Sequence, residues 1–175
     1  METYIGGKNK FKHHGKKRSI EDNTLTNEGK PYVPKKMVVG IIERNGQVIL
    51  KHVPSADLNN IGSFIAKHVP QGSTIYTDEA PVYNHLKKFY THDNVQHGIN
   101  IYVEGNVHTN TIENFWSVLK RGLYGIYHQV SDKHLERYLD EYSARFNARK
   151  LTSQERFEKF LLDSESPLSY KRLTK

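Results

Sequence analysis

The 175-residue sequence contains no cysteine. This excludes structural disulfides, thiolate zinc ribbons, iron–sulfur clusters and cysteine nucleophiles within it. It also lacks any apolar run near the roughly 20 residues that a membrane helix needs, and its first residues lack the apolar core of a signal peptide. We therefore expect a soluble, cytoplasmic protein with no membrane partner. Acid is in deficit too: Lys and Arg number 26 against 19 Asp and Glu, a net charge of +7. That balance favours polyanionic partners such as DNA, and with them association with the nucleoid. No internal repeat is present, and the length suits one domain around one core.

The opening ETYIGGK reads as a short strand, since Tyr4 and Ile5 favour pleated backbone and the Gly6-Gly7 pair breaks it. Six basic residues and no acid follow: Lys8, Lys10, Lys12, Lys16, Lys17 and Arg18. The basic, polar character runs from about residue 8 to 36 and reads as a mobile arm suited to DNA phosphates; an ordinary solvated loop is the competing reading. MVVGIIE, RNGQ and VILKHV read as a hairpin in which Asn45 and Gly46 take the two positive-φ positions of a type I′ turn. Asp57 caps a helix carrying Leu58, Ile61, Phe64 and Ile65, which Pro70 and Gly72 end. A strand follows over Ser73 to Asp78, and then a helix from about Pro81 carrying Val82, Tyr83, Leu86 and Phe89. After an ill-defined polar stretch comes a candidate strand at Ile99 to Val103, and then three amphipathic helices. This order of antiparallel strands followed by alternating helix and strand predicts an α/β protein with a mixed sheet and flanking helices, the order of the ribonuclease H-like fold.

The first of the three helices lies in VHTNTIENFWSVLKRGLYG, residues 107 to 125, where it closes on Gly125. Ile112, Phe115, Trp116, Leu119 and Leu123 form its apolar stripe, and Glu113 flanks it. Lys120 lies seven residues on, about two turns or roughly 10 Å along the same face. A carboxylate and a cation so placed suit one extended ligand such as a metal-bound phosphodiester; ordinary solvated helix charges are the alternative. Asp78 favours the first reading, because it ends a strand ahead of a helix, where ligand sites collect in open α/β sheets. A helix-capping role for Asp78 is compatible with it.

ETYIGGK, YTDEAPVY and HTNTIENFWSVLKRGLYG, with KHLERYLDEYSARFNARK after them, resemble the DDE-type transposase domain of a bacterial insertion-sequence family related to Merlin elements, the ISXO-like transposase domain. The resemblance runs from residue 2 to about 150. It implies a ribonuclease H-like catalytic domain over 1–150, with residues 151–175 as a C-terminal helix and tail. It further implies DNA strand cleavage and transfer with Mg²⁺ or Mn²⁺, with element ends and target DNA as partners and a homo-oligomer as the working form. By position, Asp78 matches the second acid and Glu113 the third, 35 residues apart, and Lys120 matches the basic residue two turns later. Asn110 is the alternative third residue, and Arg121 joins the arm as a DNA contact. Asp78 and Glu113 would hold the metal.

The first acid of the pattern falls at Met1. Glu2 is a poor substitute, because adjacent strand residues face opposite ways. The expectation is therefore a catalytic domain truncated before its first Asp and inactive as it stands, or a non-catalytic DNA-binding remnant. The region upstream, where such families carry recognition elements, is absent from the sequence. Of the ten histidines, the pair His13-His14 and the isolated His108 show no zinc-ligand spacing. Trp116 reads as core, and the tyrosines of residues 135 to 147 as core or interface. Arg145 and Arg149 read either as a phosphate clamp or as a salt-bridge face with Glu141.

Overall fold

The computed structural model describes residues 1–6, 35–94, 109–128 and 130–164. Most of the basic arm, His108 and the candidate strand at 99–103 lie outside these residues. The element order is β1 (Glu2–Ile5), β2 (Lys36–Ile42), β3 (Val48–Val53), α1 (Leu58–His68), β4 (Thr74–Thr77), a 3₁₀ helix (Pro81–Lys88), β5 (Thr91–Asn94), α2 (Asn110–Gly122) with a π-helical turn (Leu123–Tyr127), α3 (Asp132–Asn147) and α4 (Ser153–Leu162). The protein is thus α/β, with antiparallel and parallel sheets and flanking helices.

β1, β2 and β3 form an antiparallel sheet in that order, with Tyr4 opposite Met37 and Val39 opposite Lys51. Successive residues of β2 alternate between two cores. Met37 and Val39 pack with Ile61, Phe64 and Ile65 of α1 and Tyr83 and Leu86 of the 3₁₀ helix. Val38 packs on the opposite face with Phe115, Trp116 and Leu119 of α2 and Leu135 and Leu139 of α3. A strand covered on both sides reads as an unbroken apolar run, which explains why MVVGII shows no alternation.

The second sheet is a parallel pair, β4 and β5, with Thr74 opposite Thr91 and Thr77 opposite Asn94. Among the described residues no ladder joins it to the first sheet, so the expected mixed sheet is divided in two. β5 falls in the stretch read as ill-defined. Its sequence, THDN, has no apolar alternation to report it; the backbone bonds to β4 make it a strand.

The expected cap of α1 is present. Asp57 caps α1, its carboxylate accepting from Asn60 N at 2.8 Å. The turn between β2 and β3 differs from the expected two-residue form. Glu43 N donates to Gln47 O at 2.9 Å and Gly46 N to Glu43 O at 3.0 Å, leaving Arg44, Asn45 and Gly46 as a three-residue loop. Asn45 takes a positive φ of 57° and Gly46 does not. The cause is tertiary: Arg149 and Lys150, past the end of α3, donate to the carbonyls of Gly46 and Asn45. The helix from Pro81 is 3₁₀ and ends before Phe89, which is exposed, while Tyr90 turns inward instead.

α2 reaches beyond Gly125, as the π-helical turn carries the chain to His128 at φ 58°. Gly122 is the position where α2 meets α3: a Cβ there would stand 1.6 Å from the Tyr142 hydroxyl oxygen. α4 begins with a capping box between Thr152 and Glu155 yet buries no side chain; Phe157 and Leu161 are exposed. No described helix is long and apolar enough to cross a membrane.

Candidate active site

Asp78 stands one residue past β4 because Thr77 ends the strand with its side chain turned inward. The Thr77 hydroxyl lies 2.8 Å from the Asp78 carbonyl oxygen, to which it donates, and 2.8 Å from His92 Nε2. One hydroxyl proton serves one acceptor, so with the carbonyl taking it the donor to the hydroxyl oxygen is the His92 Nε2–H. Nδ1 is buried without a partner among the described residues. Burial, and then the Lys87 charge, hold the His92 pKa below its usual 6.5, with Asp93 opposing. Asp78 Oδ1 accepts from Ala80 N at 3.3 Å, an Asx turn that leads into the 3₁₀ helix, whose N-cap residue is Ala80 itself.

Tyr83 brings β1 into this neighbourhood. It is 1% exposed, and its hydroxyl donates to the Glu2 carboxylate. Burial first, then the hydrogen bond and charge of Glu2, then the charges of Asp78 and Tyr4, push its pKa above the ordinary range for tyrosine. Met1 packs against the opposite core, that of Ile112, Phe115 and Trp116, and its ammonium donates to Gly40 O at 3.1 Å. Burial lowers the pKa of that ammonium, while the charges of Glu2 and Asp78 oppose the shift. Strand alternation therefore does separate residues 1 and 2, as expected. It does not remove Glu2 from this neighbourhood, because Tyr83, which holds Glu2, and the Met1 ammonium both lie within reach of the Asp78 charge.

Glu113 occupies the first turn of α2, where a carboxylate complements the helix dipole. Thr109, 5% exposed, donates from its hydroxyl to Glu113 Oε1 at 2.5 Å and accepts the Glu113 N–H at its carbonyl at 3.2 Å. Asn110 is the exposed first residue of α2; Lys120 is half-buried in the last turn and Arg121 is exposed. Lys8, Lys10, Lys12, Lys16, Lys17 and Arg18 lie outside the described residues. Lys36, at the end of the basic segment, opens β2 and pairs with Asp132 at 3.0 Å.

The structure thus sets Tyr83, bonded to Glu2, and the Met1 ammonium within reach of the Asp78 charge, and pairs Glu113 with Thr109. Among the described residues, no cluster of three or more His, Cys, Asp or Glu side chains suited to a metal ion forms. Arg145 pairs with Glu141 at 2.6 Å, the salt-bridge alternative, while Arg149 stacks on Phe146 at 3.9 Å and donates to Gly46 O, so the two arginines do not share a ligand. By sequence Tyr83 shows only the spacing of a helix core position, and Thr77 and His92 show no signal. Only Thr109 carried a sequence signal, as a hydroxyl ahead of a helix with an acid in its first turn.

The ISXO2-like transposase domain family matches residues 1–147, from the start of β1 to the last residue of α3. The chain belongs to that family. An uncharacterized transposase-like protein of Haemophilus influenzae is 32% identical over 108 residues, 61% of this chain and 84% of that relative. No solved structure matches significantly. The ISXO2-like match spans both sheets and the helices that pack on them, and it leaves α4 outside.

Proposed function

We propose that this ISXO2-like domain is the ribonuclease H-like core of a DDE transposase, built to cut and join DNA strands with Mg²⁺ or Mn²⁺, and that Met1 in the first acid's place leaves the chain as it stands without that activity. The observation that carries this reading is the family match over residues 1–147. Within it, Asp78 follows the end of β4 and Glu113 lies in the first turn of α2. The antiparallel β1–β3 sheet beside a parallel pair, with helices on both faces, supports the fold assignment.

The oxygen donors fit a hard cation. Mg²⁺ keeps several waters and commonly takes one or two protein carboxylates together with substrate phosphates. Asp78 and Glu113 would hold it, with Asn110 the alternative at the α2 end. When bound, the metal activates the attacking oxygen and stabilises the leaving one. The residues around it have separate tasks: Thr109 orients the Glu113 carboxylate, Asp78 is held by the Ala80 amide, Lys120 orients a phosphate, and Arg121 and the basic arm hold the DNA backbone without reading sequence.

Met1 also favours a second reading, a DNA-binding domain without catalysis. The two separate in one experiment. DNA carrying the ends of the encoding element is incubated with Mg²⁺ and either the present chain or a Met1→Asp chain behind an added upstream Met. Cleavage by the Met1→Asp chain alone, abolished by Asp78→Ala, is expected. Equal cleavage by both, still abolished by Asp78→Ala, would show that two acids suffice; cleavage by neither would leave only the DNA-binding reading. In a salt titration, log K should fall by about 0.9 per phosphate neutralised for each decade of salt. Absence of binding at low salt would remove DNA as the partner.

A further inference from the structure

The two halves of the proposed metal site belong to different layers. Asp78 follows β4, whose Ile75 packs in the cluster of Tyr83, Leu86 and Val39. Glu113 rides on α2, whose Trp116 belongs to the other cluster and meets Gly40 of β2. No ladder hydrogen bond joins the two sheets among the described residues, and apolar packing is non-directional. Apolar packing by itself does not fix how Asp78 lies relative to α2.

A chain of directional bonds crosses this gap. Asp78 Oδ1 accepts from Ala80 N at 3.3 Å, Ala80 O accepts from Tyr83 N at 3.0 Å, and the Tyr83 hydroxyl donates to Glu2 on β1. β1 is in turn locked to β2 by its ladder, and β2 carries Gly40 beneath Trp116. Tyr83 is 1% exposed, so the hydroxyl end of this part-buried bond is shielded from water, which strengthens it. Its ring fills the core and needs no hydroxyl to do so. The hydroxyl therefore has a task beyond packing.

We propose that Tyr83 is a positioning residue, whose buried hydroxyl clasps the Glu2 carboxylate and so holds the Asp78 turn in register with the sheet on which α2 carries Glu113. This rests on the metal site proposed above. Loss of the clasp leaves both carboxylates present but lets one slide against the other, and a bridged cation is sensitive to such a shift.

The test uses the full chain with Mn²⁺ as probe, below the melting temperature, and follows paramagnetic broadening of the amide signals of residues 77–80 and 110–113. The native chain should broaden at both segments together. Tyr83→Phe keeps the ring and removes the clasp. It should raise the Mn²⁺ concentration for half-broadening at least threefold and lower the broadening of 110–113 relative to 77–80. Glu2→Gln keeps an acceptor oxygen and should preserve that ratio, whereas Glu2→Ala should behave as Tyr83→Phe. A Tyr83→Phe chain with both profiles unchanged, even one that melts lower, overturns the positioning role and leaves the metal reading intact. A native chain with no Mn²⁺ effect at Asp78 overturns both.

Discussion

Gly40→Ala tests how α2 is seated, because this glycine is where the helix that carries Glu113 presses on β2. A Cβ at residue 40 would stand 2.6 and 2.8 Å from Trp116 Cη2 and Cζ2 and 2.9 Å from Leu50 Cδ2. The indole has little room to retreat: Trp116 is 5% exposed and lies edge-on to Phe115 at 5.6 Å, and Phe115 is edge-on to Phe146 at 5.2 Å. Forcing a methyl into a packed core costs about 1–3 kcal/mol. For a chain of this size each kcal/mol moves the midpoint by about 2–4 °C, so melting should fall by about 2–12 °C. Circular dichroism measures the midpoint, and the single tryptophan gives a local readout by fluorescence. Trp116→Phe should relieve the clash, so the double variant should lose less stability than the two singles summed, by about 0.5–3 kcal/mol. A Gly40→Ala chain that melts within about 1 °C of the native one, with unchanged emission, would refute the contact.

Gly125→Ala offers the contrast. Nothing lies within 4 Å of a Cβ there, so stability should hold or rise by up to about 1 kcal/mol, and a loss of that size in a melt would show that the turn needs glycine. His92, with its folded pKa below the unfolded value, binds fewer protons folded than unfolded as pH falls. Its contribution to stability is full above 6.5 and is lost as pH falls from 6.5 through the folded value; an NMR titration should place the His92 midpoint below 6.5, and one at or above it would contradict the half-buried, Thr77-bonded ring. Thr152→Ala should cost α4 about 1 kcal/mol, seen as faster amide exchange over residues 153–162. Because α4 buries no side chain, the global midpoint should stay put; an equal global loss would mean that α4 is coupled to the core.

Much of this arrangement was legible in the sequence, and the reasons are local. Asp57 caps α1 because a short carboxylate reaches the amide three residues on, whatever the helix packs against. The Ile112, Phe115, Trp116 and Leu119 stripe faces the core because helical period alone puts those residues on one side. The same logic put Asp78 at a strand end and Glu113 on the helix two turns before Lys120.

What was illegible depends on partners distant in the chain. THDN becomes β5 only because β4 offers its edge, and polar side chains leave no periodic trace of that pairing. The Asn45-Gly46 turn takes its shape from Arg149 and Lys150, about a hundred residues later. The relation of Glu2 to the site followed the same rule. Alternation along β1 correctly set residues 1 and 2 on opposite faces, but it says nothing of which element ends beside that strand. Tyr83, spaced like any core aromatic, acquires its hydrogen bond because folding delivers Glu2 to it from 81 residues away. Side-chain period and capping chemistry act within a few residues and are written in order along the chain; a bond from the 3₁₀ helix to β1 exists only once that helix has packed on the sheet.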